Sequence, residues 1–366
     1  MDKIKRLLID NKIKQELDKL EKKEKFIIKI KDLEQLRGPE FEMIDTHVHV
    51  INFVQETEGL DKLIYYMDKA NIKKAVIFGM PLKKTWGEHE KKSPEYYLDD
   101  DNECYYYSFT DGIVAEEYNK LDESQKERFY PLICGFNPMD INAIKHIENM
   151  FKYYPGVFCG IGEILLRHDD LTFLTQGEPP RLNNKAIFPI LEFATEYDLP
   201  VLIHNNISAP GVSDHPKYLY ELEMILREFP KTKIIFAHCG VSRRVYAPYY
   251  KNMIKRLLLE YPSLYIDYSW AVFEEVIAKN EVTLEKWVQL SEEFSDRVLI
   301  GSDILGRDFH KIGFINNKFN KLLEKLSPDA RQNICINNAE FLFGGKKDKV
   351  KNGEKRKYPS LEDINI

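Results

Sequence analysis

The sequence predicts a closed parallel (β/α)8 TIM barrel with an N-terminal helical extension and a long insertion after the second strand. Three observations predict it. Eight short apolar runs recur from residue 42 onward, stretches of helical period separate most of them, and polar residues able to carry chemistry stand at the ends of the runs. The 366 residues exceed the usual single-domain size, yet one barrel with appendages accounts for that length.

Residues 1–40 carry Ile4, Leu7, Leu8, Ile13, Leu17 and Leu20 at roughly helical spacing, then EKKEK and FIIKI. This reads as a helical extension packing on the barrel or on a partner chain. The barrel domain is expected over 41–344, with strands at 42–46, 74–78, 131–135, 157–162, 200–203, 233–237, 263–267 and 298–301. Helices are expected at 60–69, 141–151, 184–197, 218–229, 250–260, 284–294 and 314–325, with a last short one at 338–344. Gly344 is the expected left-handed cap of that last helix. The insertion, about 81–130, contains YYLDDDNECYYYS and a helix near 111–126; on a barrel it leaves the catalytic face, where it caps the mouth or forms a subunit contact. The polar tail, 345–366, is expected to drape over the surface or fray.

Composition narrows the function. With 43% hydrophobic and 31% charged residues the chain can bury a core. Its 53 basic and 59 acidic residues give a net charge of −6, which disfavours a nucleic-acid scaffold. The opening residues lack an uninterrupted apolar segment and no stretch is long enough for a membrane span, so a cytoplasmic protein acting on a small molecule is expected, with homo-oligomers open. Cys104, Cys134, Cys159, Cys239 and Cys335 form no CxxC pair and read as reduced thiols. No GxGxxG or GxxxxGK[ST] loop occurs, against the common nucleotide sites.

The chemistry lies in IDTHVHV, GEILL, VLIHNN, IIFAHCG and LIGSDI. His47 and His49 are i,i+2 at the end of the first strand, so in extended conformation their side chains leave one face and can hold an ion between two imidazoles. His204 and His238 stand at equivalent strand ends, and Asp303 follows the eighth run, where closure brings it beside the first. Imidazole nitrogen and carboxylate oxygen suit zinc, with manganese or iron as alternatives, and a bound ion makes hydroxide available near neutral pH. Asp303 is placed to move the proton and His238 to steady a polarised oxygen. Glu163 either joins or bridges metals, giving one or two ions, or holds a histidine or a substrate amine.

Taken together these residues resemble the amidohydrolase superfamily, in particular its amidohydrolase-related branch of metal-dependent TIM-barrel hydrolases and decarboxylases, over residues 43–343. The resemblance implies metal ligation by His47, His49, His204, His238 and Asp303, and GEILL is similar to the glutamate-bearing motif of TatD-like nucleases. No lysine stands at position 163 to serve as a carboxylated bridge.

The expected activity is divalent-metal-dependent hydrolysis of a small polar or anionic amide, lactone or ester. Alternatives are decarboxylation of a small aromatic or unsaturated acid, two-metal phosphoester hydrolysis, and a non-catalytic binding module. Arg243, Arg244 and Arg307 could fork onto an anionic group, Asn205 could hydrogen-bond substrate, and Trp270 could form an aromatic wall. Arg167 and His168, close behind Glu163, read as structural or solvent-exposed residues, with orienting ligands or binding substrate as the alternatives.

Overall fold

A computed structural model describes residues 38–211, 215–242, 244 and 249–350. The predicted N-terminal extension, apart from residues 38–40, and most of the predicted C-terminal tail lie outside these residues.

The strands are β1 (Met43–His49), β2 (Ile72–Phe78), β3 (Leu82–Lys84), β4 (Cys104–Tyr106), β5 (Phe129–Ile133), β6 (Gly160–Leu165), β7 (Val201–His204), β8 (Ile234–Phe236), β9 (Leu264–Asp267) and β10 (Val298–Leu299). Eight of them form one parallel sheet in the order β1-β2-β5-β6-β7-β8-β9-β10. The two edges meet beyond the short β10: Thr46 N–H donates to the Ile300 carbonyl at 3.0 Å, Asp303 N–H to His47 at 2.8 Å and His49 N–H to Ile304 at 2.9 Å. A barrel results because those bonds satisfy the edge groups that an open sheet would leave bare.

The α-helices of the described residues are α1 (Leu60–Lys69), α2 (Thr110–Asn119), α3 (Glu123–Lys126), α4 (Ala143–Tyr153), α5 (Asp169–Leu174), α6 (Phe188–Glu196), α7 (Leu219–Glu228), α8 (Tyr250–Glu260), α9 (Glu281–Glu293), α10 (Ile312–Asn317), α11 (Asn320–Leu323), α12 (Pro328–Gln332) and α13 (Asn338–Phe343). Their apolar faces bury one layer against the outside of the barrel, as Leu60, Leu63 and Met67 of α1 do at i, i+3 and i+7. The barrel interior is a second apolar layer containing Ile44, Val76, Phe78, Leu132, Leu202 and Ile235, closed at its base by Leu342 and Phe343 of α13. The interior is therefore filled from below, and only the C-terminal mouth is free to hold a site.

Several boundaries differ from expectation. The fourth barrel strand starts later and runs through Glu163, because Gly160 and Gly162 lie inside it where close approach to β7 leaves no room for a side chain; a Cβ at Gly162 would stand 2.4 Å from the Leu202 carbonyl oxygen. The single helix expected near 111–126 is two, since Asp122 and Gln125 form a capping box that starts α3 afresh. The helix expected at 314–325 is likewise split into α10 and α11. Gly344 is extended at φ −61°, and Gly345 takes the left-handed conformation at φ 65° instead. The β3–β4 hairpin, in an antiparallel register of Leu82 with Tyr106, is an addition the apolar pattern did not announce, being only three residues per strand.

At the base of the barrel Asp198 faces Lys233, Lys346 and Lys349. Burial favours the neutral acid, but hydrogen bonds and charge from Lys233 and Lys346 outweigh it and hold the carboxyl down to about 2. A depressed acid stabilises the fold fully above its ordinary value of 3.8 and loses that contribution as pH falls toward 2. We expect Asp198→Asn, which tolerates the local φ of 53°, to flatten the acid limb of a stability–pH curve between those values, modestly because the side chain is 44% exposed. Urea unfolding at stepped pH measures it.

Candidate metal centre

β1 presents His47 and His49 into the mouth, β6 presents Glu163, β7 ends on His204, and the turns after β8 and β10 carry His238 and Asp303. His238 and Asp303 do not continue their strands: both adopt left-handed backbone, at φ 52° and 58°, which turns their side chains back over the barrel axis. Non-glycine residues held there concentrate at functional sites.

The side chains converge. Glu163 Oε1 lies 3.6 Å from His47 Nε2, 3.4 Å from His238 Nε2 and 3.2 Å from His204 Nδ1, while its Oε2 lies 3.3 Å from His49 Nε2. Asp303 Oδ1 stands 3.4 Å from Nε2 of both His47 and His49. Two sets of donors therefore fall within ligand spacing, His47 with Glu163 and His238, and His47 with His49 and Asp303; His47 belongs to both. His204 belongs to neither set and meets the cluster through Glu163.

Hydrogen bonds behind the rings decide what faces inward. His49 Nδ1 is 2.9 Å from the Gly79 carbonyl, and His47 Nδ1 is 2.8 Å from the Asp267 carboxylate. Those oxygens only accept, so each Nδ1 carries a hydrogen and each Nε2 is the nitrogen that faces Glu163 and Asp303. Nitrogens that face carboxylates in this way need positive charge between them, supplied by a proton on the ring or by a metal cation. The separations exceed those of charge-assisted hydrogen bonds, and donors about 2.1 Å from a tetrahedral ion stand roughly 3.4 Å apart. His47 Nε2 is also buried with no hydrogen-bond partner. The donor set fits a divalent metal.

Electrostatics agree. Burial opposes charge on His49, but hydrogen bonds and charge from Asp303 and Glu163 lift its imidazole to about 9. His47 is raised well above its ordinary value against the same burial, chiefly by the charges of Glu163 and Asp303. Burial would raise Asp303, yet the charge of His47 and a hydrogen bond from His49 bring it to about 2; burial likewise opposes charge on Glu163, which the charge of His47 and hydrogen bonds with His204 and His238 nevertheless drive well below the usual carboxylate range. The field that retains protons also attracts a metal cation.

A cavity of about 690 Å³ opens above these residues, lined by Phe53, Tyr96, Tyr97, Leu165, His168 and Trp270 among others. Tyr96 and Tyr97 come from the insertion, which thus reaches the mouth. Trp270 lies 5.1 Å, ring to ring, from His238, and His168 stacks 4.7 Å from His204. Arg307 lines the cavity but is paired with Glu56 at 2.6 Å. Arg244 pairs with Asp170 at 2.6 Å and does not line it. Neither does Asn205, whose amide points toward the Asn206 carbonyl at 3.5 Å. Arg243 lies outside the described residues. His168 lines the cavity while capping α5, whereas Arg167 turns away into a buried pair with Glu221.

Asp45, Asp267 and Ser269 were not singled out in the sequence. Asp45 clasps the barrel seam, accepting from the backbone of His47 at 3.1 Å and Ser302 at 2.9 Å and from Asn316 at 2.7 Å. Asp267 does have a signal: it ends the seventh apolar run, the same place in its strand that His204 holds. Gly301 meets the seam too, where a Cβ would stand 2.6 Å from both Cβ and backbone N of His47. Gly301→Ala should lower stability by about 1–3 kcal/mol and displace His47. Thermal unfolding with metal analysis of the same samples tests both effects.

The amidohydrolase family profile matches residues 158–345, just over half of the chain. The chain belongs to the amidohydrolase family. That span holds Glu163, His204, His238 and Asp303. No curated protein matches the sequence. Among solved structures, a probable 2-pyrone-4,6-dicarboxylic acid hydrolase from Acinetobacter baumannii, with citric acid bound, is 14% identical at a TM-score of 0.51, over 83% of this chain and 99% of that one. A dihydroorotase from Campylobacter jejuni is 17% identical, TM-score 0.49, over 82% and 83% of the two chains. A dihydroorotase from Saccharomyces cerevisiae in complex with 5-fluoroorotic acid is 13% identical, TM-score 0.49, over 84% and 85%. At such identity the first of these supports this amidohydrolase's barrel and says nothing of its substrate. Among the described residues, no helix is long and apolar enough to cross a membrane.

Proposed function

We propose that this amidohydrolase is a divalent-metal-dependent hydrolase of a small amide, lactone or ester. The observation that carries the proposal is the pair of donor sets sharing His47 at the open end of the barrel. His47, His49 and Asp303 would hold one ion, and Glu163 with His238 and His47 would complete a second position or brace the first. When bound, a divalent ion supplies Lewis acidity and lowers the pKa of water.

The remaining work falls to the chain. Asp303, which faces both β1 imidazoles and lines the cavity, takes a proton from the attacking water and passes it to the leaving group. His238, at the cavity wall, either completes the second position through Nε2 or, when that nitrogen is protonated, donates to the oxygen that gains charge. Phe53, Tyr96, Tyr97 and Trp270 exclude water and give the substrate an apolar and aromatic wall on one side. Zinc is the first choice of ion because the donors are imidazole and carboxylate, with manganese and iron as competitors.

The test is reconstitution with Zn(II), Mn(II) or Fe(II), followed by amide, lactone and ester panels and aromatic acids in 18O-enriched water. Hydrolysis places solvent oxygen in the product. Release of CO2 without solvent oxygen in the product would instead establish a carboxy-lyase, and phosphate release from model esters a phosphoesterase.

A further inference from the structure

The turn after β9 touches two of the inward-facing imidazoles at once. Asp267 Oδ1 accepts the Ser269 N–H at 2.8 Å and closes the turn, leaving Oδ2 to face His47 Nδ1 at 2.8 Å and to accept the Ser269 hydroxyl. Having donated its only proton to Asp267, that hydroxyl can only accept from His238 Nδ1, 2.8 Å away. The Ser269 carbonyl, 3.2 Å from the same nitrogen, also can only accept. Both rings therefore keep a hydrogen on Nδ1 and turn Nε2, the nitrogen left for a metal, toward Glu163. Asp267 is fully surrounded, at 1% exposure, so water does not compete for its oxygens.

We infer that Asp267 is the positioning residue of this centre: its carboxylate sets the tautomer and orientation of His47 directly and of His238 through Ser269, so that one buried acid on β9 prepares two ligands contributed by different strands. The inference rests on the metal-centre reading given above. It follows from donor and acceptor counting, because all three groups around Asp267 donate to it. An amide in its place must turn an N–H2 either toward the Ser269 N–H or toward His47 and the Ser269 hydroxyl. The first sets donor against the backbone N–H, and the second sets donor against His47 unless its hydrogen moves to Nε2, where it blocks ligation.

The experiment compares the full-length protein with D267N, S269A and L264A, the last removing a fully buried side chain of the same strand without touching the hydrogen bonds. Zn(II) affinity is read by competition with a chromophoric chelator, and ligand geometry by the visible absorption of the Co(II)-loaded protein. The expected result is wild-type affinity and spectrum for L264A, a loss of about 10- to 100-fold with an altered Co(II) band for D267N, and a smaller loss for S269A. A folded D267N with wild-type affinity and spectrum overturns the inference while leaving the metal centre standing. Should D267N fail to fold, S269A decides: a Co(II) band identical to wild type overturns the inference, and a shifted band supports it. Failure of the wild-type protein to take up any divalent ion overturns the metal-centre reading and this inference with it.

Discussion

Replacing His47 by alanine is expected to abolish stoichiometric metal binding and activity together. His47 is the one residue common to both donor sets, and it is fully buried between Glu163, Asp303 and Asp267. Its loss removes a ligand from either ion position and leaves Glu163 and Asp303 with His49 still facing both. The affinity loss should exceed the roughly 10- to 100-fold typical of removing a supporting residue. By contrast His204→Ala should lower affinity less, since His204 lies in neither donor set and reaches the cluster through Glu163 and an edge contact with the His238 ring. Elemental analysis of equilibrated samples measures both. Retention of a full metal complement by His47→Ala, or a larger loss for His204→Ala, would contradict the assignment of the donor sets.

The second large effect concerns stability. Arg167, which follows β6, donates to both oxygens of Glu221 on α7, from Nε at 3.0 Å to each and from Nη2 at 2.6 Å to Oε1. Glu221 is fully buried and also accepts the Leu182 N–H at 3.3 Å, while the guanidinium lies 3.6 Å from the centre of the Tyr218 ring. Glu221→Ala should cost about 3–5 kcal/mol, toward the lower end because Arg167 remains 14% exposed and can recover some solvent. Most of that cost is an uncompensated buried charge, not the worth of the pair. The double replacement Arg167→Met with Glu221→Leu should therefore recover much of the stability lost by Glu221→Ala. Urea unfolding of the variants provides the comparison, and a double variant as unstable as Glu221→Ala would locate the cost elsewhere.

Both effects depend on residues whose sequence signals differed in kind. His47 and His49 were legible because an i,i+2 pair on a strand shares one face whatever the rest of the chain does. His204 was legible as the polar end of a buried apolar run. Glu163 was found but placed one step too late, since glycines within β6 interrupted the apolar pattern that marks a strand. Arg167 was visible only as a charged residue near the site. Nothing in the local sequence tells whether such a residue turns into the cavity or into a pair with a carboxylate more than fifty positions away.

Local sequence is enough for the fold class, the order of the eight barrel strands and the candidates His47, His49, Glu163, His204, His238 and Asp303 near their ends. These follow from periodicity and strand geometry, which act over a few residues. Only the tertiary structure decided which nitrogen of each imidazole faces inward, that His47 is shared between two donor sets, that Arg307 and Arg244 are already paired, and that Asp267 stands behind the cluster. Those are properties of side-chain atoms meeting across the barrel. They depend on closure of the seam and on left-handed turns at His238 and Asp303, whose geometry is set by packing among distant segments.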